Sequence, residues 1–220
     1  MKKIIICLFF FVAFYKSQAQ IIVTPELGYN QSTFFTTNDA NQNTIATINN
    51  FQLGALISKP ILGALLLQSG LEYAQKGAYI GRGPQYVYGS NTTLHINYLQ
   101  VPLQLASNIK IDKKWAINLS AGFYGGIGIS GTEKGTGIDL NGTSAINKTV
   151  DFTNTPPSLD NTKTYIKPFD LGYAFSFGGT YEKFQLRITD SRSFGNISPV
   201  SSTINKNQVI NISLGYQLSL

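Results

Sequence analysis

The chain has 220 residues and a formal net charge of +6, with 43% hydrophobic residues, 13% charged residues, one cysteine and one histidine. One cysteine excludes a disulfide framework, and one histidine excludes a multi-histidine metal site. The charge is too slight and too scattered to mark a nucleic-acid partner.

Lys2 and Lys3 precede an apolar run from Ile4 to Phe14, and Ser17 and Ala19 supply small residues before Gln20. Basic start, apolar centre and small-residue exit are the parts of a secretory signal peptide. The run is too short to span a bilayer as a helix. We expect a signal peptide over 1–19 and a single mature domain over 20–220. Losing Lys2, Lys3 and Lys16 takes the basic residues from 17 to 14 against 11 acidic ones, so the excess falls from +6 to +3. Cys7 and Met1 leave with the same segment.

The mature chain then alternates. Val23, Leu27 and Tyr29 face one way, and Thr24, Glu26, Gly28 and Asn30 face the other. A polar tract over 36–50 leads to Phe51, Leu53, Ala55 and Ile57, which alternate with Gln52, Gly54 and Ser58. After a turn at Lys59-Pro60, Leu65 to Lys76 forms a third run, with Glu72 and Lys76 on its polar side. A Gly/Pro/Asn loop over 81–91 precedes Leu99, Val101, Leu103 and Leu105, which alternate with Gln100, Pro102 and Gln104. Asp112-Lys113-Lys114 turns the chain into Trp115, Ile117, Leu119, Ala121 and Phe123 against Ala116, Asn118, Ser120, Gly122 and Tyr124.

The stretch 131–163 is rich in Asn, Thr and Gly, lacks alternation and reads as a long loop. Phe169, Leu171, Tyr173, Phe175 and Phe177 then oppose Asp170, Gly172, Ala174, Ser176 and Gly178. A turn around 179–183 leads to Phe184, Leu186 and Ile188 against Gln185, Arg187 and Thr189. A loop over 191–205 precedes a last run from Ile210 to Leu220.

A strict period of two marks a strand with two faces. In a water-soluble barrel the polar face would carry many charges. Here it is mostly Gly, Ala, Ser, Gln and Thr, which suits the narrow inside of a closed barrel whose large apolar residues face lipid. The connections run long, short, long, short, long, short, long. Such barrels have short periplasmic turns and long outer loops. The sequence therefore predicts an all-β fold, an eight-stranded antiparallel up-and-down transmembrane β-barrel, with both ends on the periplasmic side. The expected location is the cell outer membrane, and the expected state is a monomer in outer-membrane lipid.

Three segments carry a family resemblance. Gly70-Leu71-Glu72-Tyr73-Ala74-Gln75-Lys76-Gly77-Ala78, Tyr98-Leu99-Gln100-Val101-Pro102-Leu103-Gln104-Leu105 and Tyr181-Glu182-Lys183-Phe184-Gln185-Leu186 resemble landmarks of the PorT-like outer-membrane β-barrel family. The chain departs from that pattern at Gln100, where an acid is common, and at Leu220, where an aromatic is common. The resemblance implies an outer-membrane barrel, and an association with envelope or secretion-system proteins.

Strand parity puts Glu26, Glu72, Lys76, Asp170 and Arg187 on the lumen face. Charges in so narrow an interior need partners. Arg187 is the expected centre, since its planar fork can hold two carboxylates; which of Glu26, Glu72 and Asp170 it holds is left open by the unknown register. Tyr79, Tyr86 and Tyr88 are candidate loop-binding residues, and the other tyrosines and Trp115 fit interfacial girdles.

No catalytic, cofactor or metal residues are expected, and the leading expectation is a non-enzymatic barrel with a side-chain-filled lumen. Its loops would bind an external ligand, or the barrel would support envelope assembly or secretion. One alternative is a lipid A-type hydrolase built on His95, with Ser90, Ser130 and Asp139 toward the same end. The other is a small pore, which an eight-stranded barrel disfavours. Gly81-Arg82-Gly83 and Gly125-Gly126-Ile127-Gly128 lack the Lys-Ser/Thr and the strand-to-helix setting of a phosphate loop.

Overall fold

The computed structural model describes residues 21–37, 43–82, 89–140, 142–155, 162–200 and 204–220. The expected signal peptide, Tyr86 and Tyr88 lie outside these described residues. Twelve strands follow in order: β1 (Ile22–Thr37), β2 (Thr44–Ala46), β3 (Ile48–Leu62), β4 (Leu65–Gly81), β5 (Gly89–Lys110), β6 (Trp115–Asp139), β7 (Gly142–Phe152), β8 (Thr164–Ile166), β9 (Phe169–Tyr181), β10 (Phe184–Ser193), β11 (Ile204–Tyr216) and β12 (Leu218–Ser219).

Eight of them close a ring. β1 pairs with β3, then β4, β5, β6, β9, β10 and β11 follow, and β11 returns to β1; every pairing is antiparallel. Closure leaves no open edge in the ring, which lipid would not tolerate. One end carries the tight turns. Gly63 supplies a φ of 55° between β3 and β4, and Glu182 adopts 54° between β9 and β10. Asp112 Oδ1 accepts the N–H groups of Lys114 and Trp115 at 2.6 and 2.7 Å between β5 and β6. The Leu220 N–H reaches the Ile21 carbonyl at 2.8 Å, so the two described chain ends meet at this same end.

Outside, the alternating apolar residues form a continuous wall. Leu53, Leu103, Phe177, Leu186 and Leu214 are each more than half exposed. At the tight-turn end Trp115 stacks against Tyr181 at 4.8 Å and Phe184 meets Tyr216 edge-on at 5.1 Å, with Lys114 and Lys183 over the two tyrosines. These are an aromatic belt with snorkelling cations.

The strands are longer than the alternation implied. β5 begins at Gly89 and not near Leu99, and the expected loop over 131–163 is largely strand: β6 runs on to Asp139, β7 turns back along it, and β8 joins β7 in parallel. β3 continues through Lys59-Pro60 to Leu62, β10 reaches Ser193, and the last long strand ends at Tyr216. The reason is a change of solvent. Above the lipid wall water lies outside the sheet, so the inward positions turn apolar and the outward ones polar.

Phe34, Ala78, Leu94, Ile96, Tyr98, Ile166 and Ile197 form a buried apolar core there, with Ile45, Ile80, Val150 and Phe152 packed on it. Outside it runs a polar chain in which Gln75 donates to Asn97 at 3.0 Å and Asn97 donates to Ser130 at 2.8 Å. Two glycines allow the close approaches. Gly77 holds a φ of 144° where β4 presses on the Leu94 carbonyl. Gly128 leaves the space that the Phe152 ring fills.

Candidate functional site in the barrel lumen

The lumen is layered from the tight-turn end upward. The mouth is neutral and polar: Gln68 donates to Ser58 at 2.9 Å, Ser120 to Gln104 at 2.9 Å, and Thr180 to Asn118 at 2.6 Å. A cavity of about 20 Å³ lies among Gln68, Ser120, Ser176, Gln185 and Arg187. That is room for about one water.

The next layer is charged. Arg187, on the inward face of β10, donates through Nη2 to Glu26 Oε1 at 2.5 Å and lies 3.8 Å from Glu72 Oε1. Gln100 Nε2 donates to Glu72 Oε2 at 3.0 Å, and Ser213 Oγ donates to Glu26 Oε2 at 3.4 Å. One guanidinium therefore faces two carboxylates. Glu26 holds the short contact, and Glu72 leans on the Gln100 amide. All three charged side chains are at most 6% exposed.

A second charged cluster lies further out. Lys76 Nζ and Asp170 Oδ2 are 2.9 Å apart, with side chains 2% and 0% exposed. Asn207 Nδ2 and the Tyr124 hydroxyl donate to the same Oδ2 at 2.9 and 3.5 Å, and Ser193 Oγ donates to Oδ1. The Lys76 ammonium sits 4.2 Å from the Tyr124 ring centre and 5.3 Å from that of Tyr98. Asp170 thus goes to Lys76 and not to Arg187, and the five lumen charges sort into two clusters. Between them Asn211 donates to Asn30 at 2.7 Å. The apolar core closes the outer end above.

Tyr124 and Gln100 are partners that the parity reading placed inside without giving them a role. A single large phenol in a row of Ala, Asn, Ser and Gly was the available signal. Ser193 was hidden in the stretch read as a loop.

The other sequence candidates lie apart. Tyr79 is in β4 and not in a loop, opposite Ala46 and Thr93. His95 is on the outward face of β5, beyond the lipid wall. Its Nδ1 is 2.8 Å from Asn50 Oδ1. Burial, then Lys134, hold its pKa below the usual value. Ser130 takes up the Asn97 amide, while Ser90 and Asp139 pair with Gly137 and Gly142 at the far end of the β5–β6–β7 extension. These residues do not converge on His95. Among the described residues no group of three or more His, Cys, Asp or Glu side chains could hold a metal ion.

A ring closed strand to strand, lipid-facing without and charge-paired within, is an outer-membrane transmembrane β-barrel. The chain belongs to the family described as outer membrane protein beta-barrel domain, whose model it matches over residues 17–218. Its place is the outer membrane of Gram-negative bacteria. No curated protein sequence matches it.

Among solved structures it is similar to Ail, the attachment invasion locus protein of Yersinia pestis, at 12% identity over 90% of this chain and 98% of that one, with a TM-score of 0.40. It is similar to OprG from Pseudomonas aeruginosa at 12% over 91% and 96%, with a TM-score of 0.48. The figures for Neisserial surface protein A are 9%, 90%, 97% and 0.42. These likenesses say nothing about activity.

Proposed function

We propose that the protein is a non-enzymatic, sealed barrel that acts through its outer surface, where the β5–β6–β7 extension presents a binding face to an external ligand. The observation that carries this reading is the layered lumen. Two ion-paired clusters and an apolar core stand in series on the axis, and the cavity directly beside Arg187 has room for about one water. His95 supports the non-enzymatic part, because an amide and not a carboxylate orients it, and a serine hydrolase needs the charged partner.

Wild-type protein in planar bilayers should show no unit conductance in concentrated salt. Stepwise currents from the purified monomer would overturn the sealed barrel. Lipid A profiles of a His95→Ala strain should match the parent; a lost modification would restore the hydrolase.

A second reading is support of envelope assembly or secretion, in keeping with a PorT-like placement. It is favoured by Lys110 and Lys113, exposed beside Trp115 on a groove at the tight-turn end, where an acidic periplasmic surface would fit. Photo-crosslinking from position 113 should then capture a discrete envelope protein. The same proposal includes cleavage after Ala19, read by N-terminal sequencing of the membrane form.

A further inference from the structure

A groove of about 380 Å³ opens on the outside of the barrel across β1, β11, β10 and β9. Register builds it. Arg192 on β10 stands opposite both Tyr173 on β9 and Gln208 on β11, and Lys206 on β11 stands opposite Phe35 on β1. Phe194 closes the side, 5.4 Å from Tyr173 and 5.9 Å from Phe123 between ring centres. The intervening Ser193 and Asn207 are buried in the lumen, so the groove side chains face outward.

Its height on the wall decides what it meets. Directly below on the same outward rows lie Ile210 and Ile212, Ile188 and Leu186, and Phe175 and Phe177, all exposed. Those rows face acyl chains. On β10 and β11 the groove is the first surface beyond those rows, while on β9 exposed Leu171 and Phe169 continue the apolar row beside it, so it lies at the outer margin of the lipid wall, where acyl chains meet headgroups. Asp190 holds the Arg192 guanidinium by two hydrogen bonds, at 3.0 and 3.3 Å, leaving further N–H groups to donate elsewhere. Lys206 makes no ion pair among the described residues. The groove thus carries one positive charge in excess. Phe35 and Phe194 are half exposed at this margin, where aromatic rings sit between acyl chains and headgroups.

We propose that this groove binds a phosphorylated saccharide lipid of the outer leaflet. Arg192 and Lys206 take the phosphate, the aromatic rings lie against the sugar, and the acyl chains run down the wall below. A planar guanidinium and an ammonium suit phosphate oxygens, and basic pockets at headgroup level bind anionic lipids. The inference rests on the outer-membrane placement and not on the proposed external ligand, so either can fail alone.

The test uses the full chain, folded in zwitterionic detergent and followed by native mass spectrometry. The probes are bisphosphorylated lipid A, the same lipid A stripped of phosphate, and phosphatidylglycerol. The phosphorylated form should bind about tenfold more tightly than the stripped one, at roughly one favourable contact per basic residue less the local acid. The double variant Arg192→Gln/Lys206→Gln should abolish that preference while keeping its heat-shifted band. Equal binding of the two lipid A forms by wild-type protein would overturn the proposal. So would phosphatidylglycerol binding as tightly as lipid A, or a preference that survives in the double variant. Should the double variant not fold, the wild-type comparison decides alone.

Discussion

Arg187 has the most to lose by substitution. Its charge is buried, its nearest oxygen is Glu26 at 2.5 Å, and Glu72 waits at 3.8 Å. Arg187→Met leaves two carboxylates facing each other and should cost about 3–5 kcal/mol, read from the unfolding midpoint in detergent. Glu26→Gln should cost more than Glu72→Gln, because Glu26 makes the closer contact and removing the charge at 72 leaves one acid for one base. An unchanged midpoint for Arg187→Met would show that the residue is solvated.

His95 behaves differently. Its folded pKa lies below the ordinary 6.5, from burial and Lys134. The unfolded chain then holds the proton more tightly, so the His95 contribution is complete above about 6.5 and is lost as pH falls below it. Thermal unfolding of wild type and His95→Gln should diverge in pH dependence only in that acid window.

The strand is the scale at which solvent shows. β5 crosses from lipid to water along its length, with Leu103 in the wall, Asn97 above it, and Leu94 turned into the outer core. Leu103→Arg should cost about 2–4 kcal/mol, since lipid sees the charge. Asn97→Arg should cost less, about 0.5–1.5 kcal/mol, for the hydrogen bonds lost to Gln75 and Ser130, since water meets the new charge. Leu94→Ala opens a cavity and should cost about 2–5 kcal/mol. Equal penalties at 97 and 103 would show that the polarity does not switch along the strand. The β6–β7 hairpin belongs to the same extension. Its tip residue Leu140 is 86% exposed, and an epitope placed there should be reached by antibody on intact cells. Labelling only after the outer membrane is opened would reverse the topology.

For the whole molecule, closure is the governing property. Every ring strand has two hydrogen-bonded neighbours, so the barrel unfolds as a unit and should migrate faster on gels before boiling than after. The same closure fixes how the interior is filled. Eight strands leave a lumen that side chains can fill, and the observed residues do so in polar, charged and apolar layers. Recovery of a soluble periplasmic form without detergent would contradict this architecture.

The sequence alone determined the strand type, the two faces and the short turns that share one end of the barrel. Alternation such as Phe169 to Gly178 is local, set by a backbone whose side chains flip at every residue, so parity already placed Glu26, Glu72, Lys76, Asp170 and Arg187 inside. The short turns at Asp112 and Glu182 were equally local. The outer strands were not legible. Beyond the wall the pattern inverts, the glycines of 125–137 carry no polarity, and the register slips by one residue beside Asn97 and Tyr98. Only the tertiary structure decided the pairings. Lys76 and Asp170 are 94 residues apart and Glu26 and Arg187 are 161 apart. Which of them meet depends on the stagger accumulated strand by strand around a ring that must close, and no local stretch of chain contains that sum.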